Sequence, residues 1–221
     1  MRHLLQPQVL KLSVIAGLVS ALAAYPRLGT WSNRSAPVWY LEATIFFCTV
    51  ILWGFVFAWH TRYTGRPVFV FKVATKPFIV VTLLGILMGM VYHQWFDPSL
   101  RTVLPKEYPA DVKSWFAFSL FTLAVNQLFL IFAAFAWFIR LTKNLKLTVS
   151  LTALLGAFVL ALKIGTLPTS PSLSLLVALL LVRIAAGFLA VGIYLRGGVI
   201  SVWWWTLLFQ ARLLLDFINH P

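Results

Sequence analysis

The sequence predicts an all-α fold, a polytopic membrane helix bundle of about seven transmembrane helices with a cytoplasmic N-terminus. Three observations predict it. Of 221 residues, 61% are hydrophobic and only 10% carry charge, and mean hydropathy is +0.91, too few charges to cover a water-solvated surface of this size. The apolar residues fall into runs near the ~20 needed to cross hydrocarbon, parted by clusters of Pro, Gly and charge. Lys and Arg are distributed unequally between alternate connections.

The spans read, in order, as about 9–25, 38–59, 78–96, 115–139, 147–166, 173–195 and 199–218. The first opens on MRHLL and closes on SALAAYP, a pattern shared with cleaved signal peptides, and is read here as a retained helix. Pro26, the SNRSAP segment and Pro37 separate it from the second span, and TGRP and Pro77 separate the second from the third. FDPSLRTVLPKEYPADVKS, TKN, TLPTSPS and RGG punctuate the rest, so every connection is short and the chain forms a single membrane domain over 1–221. With the N-terminus inside, ten basic residues lie on the cytoplasmic side: Arg2, Lys11, Arg62, Arg66, Lys72, Lys76, Arg140, Lys143, Lys146 and Arg196. Five lie opposite, namely Arg27, Arg34, Arg101, Lys106 and Lys113, which is the positive-inside sense. Trp203, Trp204 and Trp205 then start the last span at the cytoplasmic interface, where indole rings anchor.

The formal charge of +13 implies juxtamembrane Lys and Arg contacting anionic lipid, and no nucleic-acid partner is expected. One cysteine, Cys48, excludes a disulfide framework and a CxxC metal site. His3, His60, His93 and His220 form no HExxH, and His60 and His93 end successive spans on opposite faces as interfacial residues. The sequence calls for neither metal nor cofactor.

Polar groups inside spans are costly and mark either helix-to-helix contacts or a site. Asn126 and Gln127 stand side by side in LAVNQLFLIFAAF, near mid-depth with Arg183. Glu42, Lys163, Arg212 and Asp216 fall in the outer half, and Arg212 and Asp216, four apart, share a helical face and can pair. Gln210 completes the candidates for a polar intramembrane cavity: Asn126, Gln127, Lys163, Arg183, Gln210, Glu42, Arg212 and Asp216. Three cations against two carboxylates leave one positive charge without a counterpart. Gly85-x3-Gly89 and Gly187-x4-Gly192 are read as points of close helix approach.

The C-terminal half, 115–218, resembles the CPBP family of CAAX proteases and bacteriocin-processing enzymes, with residues 1–114 supplying three further spans. Tyr194-Leu195-Arg196-Gly197-Gly198 resembles that family's Tyr-Leu-Arg-Thr-Gly-Ser turn, with Trp203 to Trp205 following. LTALLGAFVLALKIG resembles its Phe-x3-His helix, and NQLFLIF falls at its Glu-Glu-x3-Arg motif. The resemblance would imply an intramembrane glutamic protease, in which Glu activates water and His and Asn assist. The sequence departs at each such position. Asn126 and Gln127 replace the two Glu, and Ile131 replaces the Arg. Phe158 is followed by Leu162 where His belongs, with Lys163 beside it. The His-x3-Asn motif aligns with Leu207 and Ala211 or with Gln210 and Leu214. An amide keeps a carboxylate's shape but accepts no proton at neutral pH, so no catalytic residue is carried over.

Three functions are open to such a chain: a pseudoprotease-like protein that binds or scaffolds a partner in the membrane, an accessory subunit of a transport, energy-converting or pigment-bearing complex, and an active intramembrane protease using Glu42 or Asp216. The expected partners are membrane lipid and another membrane protein. The expected location is a bacterial plasma membrane or an equivalent inner membrane.

Overall fold

The computed structural model describes residues 3–30, 36–167 and 171–219, with the backbone alone at 106, 218 and 219. Arg2, Arg34, Pro168 and His220, all used in the sequence reading, lie outside the described residues. Among these residues six helices are long and apolar enough to cross a membrane: α1 Pro7–Thr30, α2 Val38–Thr64, α3 Thr75–Val103, α4 Val112–Thr142, α5 Leu145–Gly165 and α6 Leu173–Phe217. The chain is an integral membrane protein. Its lipid-facing surface carries Leu22, Phe47, Ile51, Leu83, Phe116, Leu154 and Leu181, all large and exposed, an arrangement hydrocarbon rewards and water penalises.

The difference between six helices and seven predicted spans lies at Gly198. Its backbone (φ 65°, ψ −167°) departs from helical values within α6 and divides it into segments 173–197 and 199–217. Arg183 of the first segment and Gln210 of the second line one cavity, so the segments double back against each other. A Cβ at residue 198 would meet the Val68 carbonyl oxygen at 2.6 Å, at a φ that L side chains rarely adopt, which is why glycine is required. The 66–72 segment seals this turn. Val199 N–H donates to Val68 O at 3.0 Å, and Arg66 donates to Leu195 O.

Helix starts follow local chemistry. Asp111 caps α4 by accepting from the Ser114 N–H at 2.6 Å, Asn144 caps α5 through the Leu147 N–H at 3.2 Å, and Ser172 caps α6 through the Leu175 N–H at 3.4 Å. The hydrogen bonds of the Ser114 hydroxyl and then its N–H hold the Asp111 carboxyl below the usual carboxylate range. Between α1 and α2, Thr49 donates to Gly17 O at 3.3 Å and Trp53 Nε1 to Ser20 Oγ at 3.0 Å.

Close approach occurs where small residues permit it. A Cβ at Gly187 would fall 2.7 Å from Ala153 Cα, and one at Gly85 2.9 Å from Leu208 Cβ, so α5 and α3 flank the two segments of α6. Gly192 differs from expectation, since nothing lies within 4 Å of its would-be Cβ. The core sits among α2, α4 and α6, where Trp53, Phe132, Phe135, Tyr194, Val199 and Val202 are buried.

A polar cavity between α4 and α6

Helix α4 does not keep α-helical pitch through its centre. Residues Thr122–Asn126 and Leu128–Ala133 form π-helical turns, which widen the helix and interrupt its i to i+4 ladder. Leu123 O, inside the first π turn, receives Trp203 Nε1 from α6 at 2.9 Å. This is the usual remedy for a main-chain carbonyl freed in an apolar setting. Near the other end of α6, Gln210 O accepts from Trp115 Nε1 at 2.9 Å, just before the chain tightens into a 3₁₀ turn at Arg212–Leu214. The two Trp bonds tie α4 to the second segment of α6 beside one cavity.

That cavity has a volume of about 180 Å³. Asn126, Gln127 and Thr122 line it from α4, Arg183 from the first segment of α6, and Trp205, Thr206 and Gln210 from the second. Met88 and Tyr92 of α3 and Phe118, Leu130 and Phe209 supply apolar walls. Four polar atoms on its lining are buried without a hydrogen-bond partner: Thr122 Oγ1, Trp205 Nε1, Thr206 Oγ1 and Gln210 Oε1. Thr206 is 2% exposed and Gln210 6%, so bulk water does not satisfy them. Arg183 Nε donates to Gly156 O across a long 3.4 Å, and among the described residues no carboxylate pairs with the guanidinium. The lining contains no Asp, Glu, His, Cys or Ser.

Of the eight candidate residues, the fold brings Asn126, Gln127, Arg183 and Gln210 together and sends the other four elsewhere. Glu42 lines a separate apolar groove between α1 and α2 with Leu18, Tyr25 and Trp39. Lys163 pairs at 2.7 Å with Glu107 of the α3–α4 connection. Arg212 and Asp216 do not pair with each other. Arg212 Nε donates to Asp97 Oδ2 at 3.1 Å, and Asp216 accepts from Arg101. Helix α6 tightens to a 3₁₀ turn between the two residues, so the four-residue spacing no longer puts them on one face.

The sequence reading missed Asp97, because it sits in an Asp-Pro step that resembles a loop. In fact α3 runs on through a π-helical turn at Tyr92–Phe96 to Val103, and Asp97 is 1% exposed. Tyr108 donates to Asp97 Oδ1 at 2.7 Å, and burial first, then that hydrogen bond, raises its phenol above the usual range. The Trp triplet also engages neighbouring helices. Trp203 and Trp204 donate to Leu123 O and Thr82 Oγ1, and Trp205 is 6% exposed. His60 is fully buried against Tyr194, with ring centroids 4.6 Å apart; His93 lies at the other end, 3.9 Å from Asp216.

The chain matches no family model, no curated protein and no solved structure. At the positions carrying the resemblance drawn from sequence, Gln210 lines the cavity and Leu207 does not. Phe158 and Leu162 of α5 are 59% and 56% exposed and face away from it.

Proposed function

We propose that this chain is a non-hydrolytic binding protein of a bacterial plasma membrane or an equivalent inner membrane. In this reading it resembles a CPBP-family pseudoprotease, and its cavity receives a polar group of a membrane-borne partner. The observation that carries the reading is the cavity itself: unsatisfied polar groups around a partly open space, with no side chain in its lining able to take a proton from water at neutral pH. Hydrolysis requires such a base near the bond to be cleaved, together with donors for the oxyanion. The cavity offers donors and neutral amide and hydroxyl groups, and no such base.

What favours the family likeness is that Asn126 and Gln127 of the first motif and Gln210, in one of the two alignments of the last, line one cavity. It is not supported at the Phe-x3-His motif, where Phe158 and Leu162 point outward. The active-protease alternative finds little support in Glu42 and Asp216, because one lies in a lipid-facing groove and the other is held by Arg101. The test is co-purification from gently solubilised membranes, comparing the native chain with Gln210→Leu. A membrane protein recovered with the native chain and lost with the variant supports the reading. Recovery of the protein alone at full expression overturns it.

A further inference from the structure

Resting on that binding reading, we infer that the group received by the cavity is an oxyanion, a carboxylate or a phosphate, held by the guanidinium of Arg183. An arginine halfway along a membrane helix is costly without a counter-charge, because desolvation of the cation is repaid only by a close partner. Three other cations toward one end of α3, α5 and α6 have theirs. Arg212 has Asp97, Arg101 has Asp216, and Lys163 has Glu107. Arg183 has one long bond to a main-chain carbonyl. Its side chain lies against Gly156 of α5 and also lines the cavity, with the orphaned Trp205 indole N–H, two threonine hydroxyls and the amides of Asn126 and Gln127.

Donors dominate that set, and donors converging with a fixed cation are what an oxyanion selects. Gln210 joins the donors once its amide is turned over, which replaces the unsatisfied oxygen by an N–H. The 180 Å³ space holds one such head group. Its apolar walls, Phe118, Leu130 and Phe209, suit a molecule that arrives through lipid.

The proposal is tested on the full chain in phosphatidylcholine nanodiscs, with unfolding followed by tryptophan fluorescence. Three probes are added separately: myristate, phosphatidylglycerol mixed into the bilayer, and inorganic phosphate. A rise in Tm with myristate or phosphatidylglycerol identifies a lipid-borne oxyanion, and a rise with inorganic phosphate alone identifies a free one; both support the site. Arg183→Gln is expected to weaken the responding probe by about tenfold to a hundredfold, the worth of one or two charge-assisted hydrogen bonds, while Arg183→Lys keeps most of the response. If Arg183→Gln does not fold, Gln127→Glu serves instead. It supplies an internal carboxylate and is expected to abolish the response while raising the Tm of the ligand-free protein. No rise with any probe, or an equal rise in the variants, overturns the oxyanion. A partner that still co-purifies in that event leaves the binding function standing without it.

Discussion

Arg212 reaches back 115 residues to bind Asp97 through Nε and Nη2, and leaves Asp216, one turn away on its own helix, to Arg101. The first pair is buried, with side-chain exposures of 10% and 1%. The second is partly exposed. Asp97→Asn is therefore expected to destabilise the protein by about 3–5 kcal/mol, because Arg212 is left buried and unpaired. Asp216→Asn is expected to cost about 1 kcal/mol or less. Thermal unfolding in mild detergent separates them, and equal losses would contradict the assignment. Adding Arg212→Gln to Asp97→Asn is expected to recover part of the loss.

Gly187 and Gly192 lie on the same helical segment but in opposite circumstances. Gly187→Ala places a Cβ 2.7 Å from Ala153 Cα and is expected to cost about 1–3 kcal/mol by forcing α5 from α6. Gly192→Ala meets nothing and is expected to be neutral or to stabilise by up to about 1 kcal/mol through helix propensity. The two Tm shifts should have opposite sign or clearly different size.

Gly198→Ala is expected to cost about 1–3 kcal/mol from backbone strain alone, and more from the clash with Val68 O. The checkable outcome is a fall in folded yield and Tm larger than that of Gly192→Ala. At residue 192 nothing lies within 4 Å of the added Cβ.

The Asp111 cap gives a pH dependence. Its carboxyl is held below the usual range in the folded chain, so its contribution is present above the unfolded value of about 3.9 and is lost as pH falls through the folded value. Asp111→Ala is expected to lower Tm at neutral pH. The gap from the native chain should close in acid, and a gap that persists there would place the loss elsewhere.

The sequence made most of the fold legible because hydropathy and helix breakers report on the two properties the membrane enforces, span length and closed backbone hydrogen bonding. Asn126, Gln127, Arg183 and Gln210 were conspicuous for the same reason, being polar where lipid excludes polarity. What stayed hidden were departures from ideal helical pitch. The π turns of α4 set which main-chain carbonyl Trp203 finds, and the π turn before Asp97 carries α3 past its apparent end at Asp-Pro. Arg212 and Asp216 looked paired only as long as one uniform helix was assumed. Lys163 found Glu107 in a connection whose course no periodicity encodes.

The one-residue reversal at Gly198 also bears on how the chain reaches its membrane. With no hydrophilic loop between segments 173–197 and 199–217, there is nothing for the insertion machinery to hold on one side while the second segment waits. The two segments are expected to enter together as a hairpin. Truncation between 198 and 217 would then strand an unpaired first segment with Arg183 exposed to lipid, a ready signal for membrane quality control.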